Sequence, residues 1–65
     1  MPSTVISFYR YDKEKQTLDV GFMSGSIYRY LDVPETVAVA MKASASKGVY
    51  LNTVIKPAYK FQKLK

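Results

Sequence analysis

Two strands and the turn that joins them are encoded by residues 17–31, TLDVGFMSGSIYRYL. Alternate positions of the first strand are apolar, as in a strand with one buried face: Leu18, Val20 and Phe22. Ser24-Gly25 predicts the turn, because glycine readily adopts the positive φ of tight hairpins. Residues 26–31 are rich in β-branched and aromatic side chains, which favour the returning strand. The segment therefore predicts an antiparallel hairpin.

Further elements follow on both sides of this hairpin. Residues 4–11 predict a preceding strand, and residues 34–43 change to helical periodicity. A second helix is predicted to follow a Ser46 N-cap and to reach about Ile55, with Tyr50, Leu51, Val54 and Ile55 as its buried stripe. Residues 58–65 are expected to be either extended against the body or frayed. The predicted fold is α+β: a three-stranded antiparallel β-meander followed by two short α-helices, in a single domain over residues 1–65.

The tripeptide Tyr-Arg-Tyr occurs twice, at residues 9–11 and 28–30, and the hairpin register decides which way the second copy faces. A two-residue loop at Ser24-Gly25 places Tyr28 and Tyr30 on the face of the sheet that does not carry the Val20 side chain. A three-residue loop at residues 24–26 shifts the register by one residue and places them in the core. Because two-residue hairpins are commonest, we expect the tyrosines to face outward. The alternative is that Tyr59 and Phe61 of the tail pack against them.

The first copy has no register fixed by its loop. By simple alternation, Ile6 and Phe8 share one face of the strand, and Val5, Tyr9 and Tyr11 share the other.

Positive charge is concentrated in the second half of the chain. The net charge is +5; residues 1–32 carry four cations and four anions, whereas residues 33–65 carry six lysines against Glu35 alone. Such a gradient favours a polyanionic partner. The alternative is that the lysines only keep a small protein in solution.

The amino-acid composition of the chain does not favour a catalytic or a metal-binding site. The chain lacks histidine and cysteine, which are the commonest general base and thiolate ligand. Residues 44–47 read Ser-x-x-Lys, but we interpret them as a turn between helices with Ser46 as a cap. We expect no catalytic residue, metal or cofactor. The N-terminus does not resemble a signal peptide, and no apolar run is long enough to span a membrane, so a cytoplasmic protein is expected.

A series of short motifs runs through most of the chain. They are Tyr11-Asp12, Leu18-x-Val20-x-Phe22 with Ser24-Gly25, Ile27-Tyr28-Arg29-Tyr30, Val33-Pro34, Ser46-Lys47-Gly48-x-Tyr50-x-Asn52-x-x-Ile55 and Tyr59. In this order they resemble the KTSC domain family, named for the C-terminal extension of some lysyl-tRNA synthetases and found also as small free-standing bacterial and phage proteins. The resemblance implies an α+β fold and RNA binding, and it supplies no catalytic site.

The hypothesis from the sequence is a non-enzymatic accessory module that binds RNA, with tRNA as one candidate. Lysines neutralise phosphates and tyrosines stack on unpaired bases. The candidate stacking residues are Tyr28 and Tyr30, and the candidate phosphate contacts are Arg10, Lys47, Lys56 and Lys60. The alternative is a protein-interaction or homodimerisation module. It is suggested by an outward face holding Met23 and the tyrosines, and by a third strand free to pair at the sheet edge.

Overall fold

The computed structural model describes residues 6–65, in which helices cover one face of an antiparallel sheet. In chain order the elements are β1 (Ile6–Asp12), β2 (Thr17–Phe22), β3 (Ile27–Tyr30), α1 (Glu35–Ala43), α2 (Lys47–Tyr50), a π-helical turn (Leu51–Ile55) that continues α2 directly, and β4 (Phe61–Lys63). The predicted α+β class and the meander followed by two helices are confirmed. The predicted start of the first strand, at residues 4 and 5, lies outside the described residues.

The count of three strands is wrong, because the tail forms a fourth. β4 pairs antiparallel with β3, so that the sheet order is β1-β2-β3-β4. The pairing continues beyond the strand, since the Leu31 amide donates to the Lys60 carbonyl at 2.8 Å. Of the two states expected for the tail, the extended one is therefore observed. β3 has a neighbour on each side and is not the sheet edge that was one support for the interaction hypothesis.

The hairpin between β2 and β3 has a three-residue loop, residues 23–25. The Gly25 amide donates to the Phe22 carbonyl and the Phe22 amide donates to the Ser26 carbonyl, each at 2.9 Å. Gly25 has φ +99°, the left-handed conformation that closes such a loop with a glycine bulge. This register pairs Val20 with Tyr28, so the tyrosines of β3 lie on the same face as the apolar residues of β2. The prediction that they face outward is wrong. The alternative had the correct face but not the correct register, because a loop at residues 24–26 would pair Val20 with Tyr30.

A bulge in β1 overturns the simple alternation expected for that strand. Ile6 pairs with Phe22 and Phe8 pairs with Gly21, so one extra residue lies between the two pairs. Ile6 therefore packs against the core on the helix side, whereas Phe8 lies on the other face of the sheet, where its ring occupies the space beside the Gly21 α-carbon. A glycine in a strand lacks packing surface, and this ring supplies it.

The core lies between the sheet and the helices. Its fully buried members are Leu18, Val20, Tyr30, Val33, Met41, Leu51 and Ile55. The buried stripe expected on the second helix is confirmed at Leu51 and Ile55, and Tyr50 packs half-buried beside them. Val54 is 37% exposed and does not belong to the stripe, because the π-helical turn changes the angular spacing of the side chains.

Two hydrogen bonds position the starts of the helices. The Ser46 hydroxyl accepts a hydrogen bond from the Val49 amide at 3.4 Å, which confirms the expected N-cap. The Tyr11 hydroxyl donates to the Val33 carbonyl at 2.6 Å and ties the end of β1 to the segment that precedes α1.

Candidate nucleic-acid interface

Three aromatic side chains form a continuous row on the helix side of the sheet, near its edge. We call Phe22, Tyr28 and Phe61 the aromatic patch. The Phe22 and Tyr28 rings meet edge to face with centroids 5.5 Å apart, and the Tyr28 and Phe61 rings are 5.2 Å apart with an interplanar angle of 32°. Phe61 is 53% exposed, and Phe22 and Tyr28 are half-buried. The patch is therefore anchored at the core and open to solvent at β4.

Lysines flank the aromatic patch on two sides. The Lys56 Nζ lies 5.9 Å from the centroid of the Phe22 ring, within the range of a cation–π contact. Lys63 is the cross-strand partner of Tyr28, which places its side chain on the same face of the sheet. Both lysines are exposed. The surface thus combines apolar rings with exposed positive charges.

These positive charges are not neutralised by carboxylates within residues 6–65. Glu35, the single acid of the second half, lies 3.9 Å from Lys13 of the β1–β2 turn. The other ion pair of these residues joins Arg29 to Asp19. The lysines of the second half therefore keep their charge available for a partner.

Tyr30, a predicted stacking residue, is in the core. It is 1% exposed, and its ring contacts Phe61 at a centroid distance of 5.8 Å. Burial raises the pKa of its hydroxyl, with a smaller contribution from Tyr28. A base cannot reach this ring without unfolding the sheet. Of the two predicted stacking residues, Tyr28 alone belongs to the patch, and the alternative that the tail packs on both tyrosines is confirmed for Phe61.

Arg10 lies on the opposite face of the sheet from the aromatic patch. It pairs across the strands with Asp19, whose other neighbour is Arg29. The Arg29 guanidinium donates two hydrogen bonds to the Asp19 carboxylate, at 2.8 and 3.1 Å. This hydrogen bonding, together with the negative charge of Asp19, raises the pKa of Arg29. Arg10 therefore contributes to a separate surface, which we call the open face.

The remaining predicted phosphate contacts are dispersed. Lys56 borders the patch, and Lys60 is exposed immediately before Phe61. Lys47 begins α2 and is half-buried. The structure thus places Tyr28 and Lys56 on either side of the Phe22 ring, and Lys60 precedes Phe61 of the same patch.

Three residues of the patch and its border were not among the predicted site residues: Phe22, Phe61 and Lys63. The signal for Phe61 and Lys63 was the pattern of aromatic residues and lysines in residues 59–63, which is compatible with a strand, whereas Phe22 was predicted only as part of the apolar face of its own strand. Placing that strand beside β3 requires a pairing across about thirty residues, which local patterns do not encode.

The described residues contain no cluster of three or more side chains suited to holding a metal ion. In the Ser-x-x-Lys segment, the Ser44 hydroxyl donates to the Met41 carbonyl at 2.9 Å, and Ser46 caps α2. Both serines thus have the structural role expected of a turn. Across residues 6–65, no helix has the length and apolar character needed to cross a membrane.

The fold and this surface define a small α+β domain with a basic aromatic patch on one side of its sheet. The chain belongs to the KTSC domain family, whose model matches residues 2–59. β4, with Phe61 and Lys63, lies beyond the matched residues. A crystal structure of a KTSC domain protein from Yersinia pestis is similar over 100% of this chain and 94% of that one, with 29% identity and a TM-score of 0.85.

Similar sequences occur in longer and shorter proteins. A lysine–tRNA ligase of Nostoc sp. is 44% identical over 91% of this chain, and one of Nostoc punctiforme is 39% identical over 94%. This chain spans only about a tenth of the length of these ligases (10% and 11%). An uncharacterised protein of Stutzerimonas stutzeri is 45% identical over 75% of this chain and 69% of its own length. The domain thus occurs both within a large enzyme and in proteins of its own size.

Proposed function

We propose that this domain is a non-enzymatic accessory module that binds RNA through the lysines of its second half. The observation that carries the proposal is the group of lysines that have no carboxylate partner within residues 6–65 and lie beside the exposed aromatic patch. Each lysine that meets a phosphate releases condensed counterions, which favours binding regardless of sequence.

The relatives supply a second line of support. Lysine–tRNA ligases contain a segment similar to this domain, and the name of those enzymes includes tRNA as a substrate. A basic module joined to such an enzyme would increase its affinity for tRNA, so tRNA is the first ligand to examine. An RNA-binding module of a bacterial cell would work in the cytoplasm, where tRNA is used.

The alternative, a protein-interaction or homodimerisation module, no longer has its two supports from the sequence. The tyrosines of β3 do not share an outward face with Met23, and β3 is paired on both sides. A homodimer would make sedimentation depend on protein concentration, and that measurement belongs beside the RNA experiment.

The proposal is tested by titrating the protein against fluorescently labelled tRNA and single-stranded RNA over a series of salt concentrations, with anisotropy as the readout. Affinity should fall linearly with salt on logarithmic axes. No binding at low ionic strength, or binding that is insensitive to salt, would overturn it.

A pair of charge-matched variants locates the lysines that meet the RNA. The double variant Lys56→Gln/Lys63→Gln should reduce the slope of the salt dependence by about 1.4 for single-stranded RNA, or about 0.7 for each phosphate that is no longer neutralised. The control Lys13→Gln/Lys15→Gln has the same net charge but changes only the β1–β2 turn, where the ion pair that it removes, Lys13 with Glu35, is exposed and contributes little to stability. It should leave the slope close to that of the wild type.

A further inference from the structure

The aromatic patch suggests which form of RNA the domain binds. We propose that Phe61, supported by Tyr28, stacks against an unpaired base while Lys56 and Lys63 bind phosphates on either side, so that the ligand is single-stranded RNA. This inference rests on the proposed function. It assigns a binding role to Phe22, Phe61 and Lys63 that no sequence motif indicated.

The arrangement of the rings favours Phe61 as the contact with the base. Phe61 packs on Tyr28 and Tyr30, at 5.2 and 5.8 Å, yet remains 53% exposed. Its position is therefore held by a ring that is itself fully buried, while much of its own surface is free. A stacking side chain that is already ordered loses little conformational entropy when a base binds.

Phe22 has a different part in the same surface. Its ring meets Tyr28 edge to face at 84°, and the Lys56 ammonium lies over it. Because both Tyr28 and Lys56 contact it, the Phe22 ring is not free to stack on a base. It lies beside the stacking position and keeps Lys56 close to it. On the other side, Lys63 is anchored opposite Tyr28 by strand pairing. The two lysines thus border the rings. When one base of an RNA chain stacks on Phe61, the phosphates before and after that base would each lie near a lysine.

Base stacking separates single-stranded RNA from duplex RNA. In a duplex, each base is covered by its neighbours, and proteins contact mainly the phosphates and sugars. Unpaired bases expose a face on which aromatic side chains stack with little sequence preference. A duplex would therefore engage the lysines of this domain and leave Phe61 without a role.

The experiment uses Phe61→Trp, because the chain contains no tryptophan and the new indole is the sole reporter of its kind. The matched control is Phe8→Trp, which changes an aromatic side chain of similar exposure, 46%, on the open face. Each variant is titrated with an oligouridylate of about 10 nucleotides and with the duplex it forms with its complement. We expect the oligouridylate to quench the fluorescence of Phe61→Trp and to leave Phe8→Trp unchanged, with little quenching by the duplex.

Affinity gives a second readout. Phe61→Leu keeps an apolar side chain on Tyr28 but removes the stacking ring, and it should weaken oligouridylate binding about 5- to 150-fold. Its thermal unfolding must match that of the wild type, and Phe61→Trp must retain affinity. Equal quenching of both tryptophan variants, or unchanged affinity in Phe61→Leu, would overturn the stacking inference while leaving RNA binding by the lysines intact. Absence of RNA binding by the wild-type domain at low salt would instead overturn the proposed function.

Discussion

The two copies of Tyr-Arg-Tyr, at residues 9–11 and 28–30, lie on the two sides of β2 in equivalent registers. In both, the tyrosines point toward the helices, and the arginine is paired across the strands with Asp19. Their surroundings differ, since β1 is at the edge of the sheet while β3 is covered by β4. The tyrosines of the first copy are half-buried, whereas Tyr30 is fully buried and Tyr28 belongs to the aromatic patch. Pairing with β2 places the tyrosines of both copies on the helix side of the sheet. The presence of β4 beside β3 then determines how deeply the tyrosines of the second copy are buried.

The largest contrast between the copies should appear in stability. Tyr30→Ala removes a fully buried ring and should cost about 3–5 kcal/mol, as other aromatic-to-alanine changes in cores do. A 65-residue domain has about 3–10 kcal/mol in total, so this variant should lose at least about a third of its free energy of unfolding. Tyr11→Ala, at the equivalent half-buried position, should cost clearly less. Urea unfolding followed by circular dichroism measures both, and equal losses would contradict the comparison.

A smaller contrast is expected between the two arginines. Arg29 makes a paired, partly buried contact with Asp19, whereas Arg10 is exposed. Arg29→Gln should lower the free energy of unfolding by about 1 kcal/mol, and Arg10→Gln should change it by less than about 0.5 kcal/mol. Combining Asp19→Asn with each change in a double-mutant cycle isolates the pair energies. If the coupling energy with Asp19 were larger for Arg10 than for Arg29, Arg10 would be the main ion-pair partner of Asp19 and the expected contrast would be wrong.

The smallest expected effect is one that the two copies share, and it appears in alkaline solution. Burial raises the pKa of Tyr11, with added effects of Glu35 and Asp12, and burial also raises that of Tyr30. Below the ordinary tyrosine pKa of about 10, both hydroxyls are protonated in the folded and unfolded states, and their stabilisation is fully present. As the pH rises further, the unfolded chain loses its protons first, so the free energy of unfolding falls.

The double variant Tyr11→Phe/Tyr30→Phe removes both titrating groups and should show a shallower fall between about pH 9 and pH 11. Urea unfolding at a series of pH values measures the slope, and the lysine contribution is common to both proteins. If the free energy of unfolding fell equally steeply in the double variant, these two hydroxyls would not be the cause of the loss of stability at high pH.

Much of the fold could be predicted because it is encoded locally. The alternation in β2, the Ser46 cap and the change to helical periodicity after Pro34 each depend on neighbours in sequence. The face of β3 could not be predicted in this way. Ser24-Gly25 fits loops of two or three residues, and Gly25 provides the positive φ in either case. A one-residue difference then moves every side chain of the strand to the other face.

The candidate site could be predicted in part for a related reason. Tyr28 and Lys56 were found from residue type, charge and position. Phe61 and Lys63 were not, because the pattern of residues 59–63 is compatible with a strand but does not indicate which strand it pairs with. The part that β4 has in the site becomes visible only when the strand is paired with β3, which places Lys63 opposite Tyr28. That pairing depends on the completed fold.

The position of β4 in the chain has a consequence for the order of folding. The first three strands are joined by short turns, so their pairing can be completed as soon as they are synthesised. The partner of Tyr30 is Phe61, and at translation rates of about 5–20 residues per second the intervening helices delay its arrival by a few seconds. During that interval the outer edge of β3 has no strand beside it and is open to pairing with other chains. We therefore expect nascent chains to need protection at this edge until the last strand emerges.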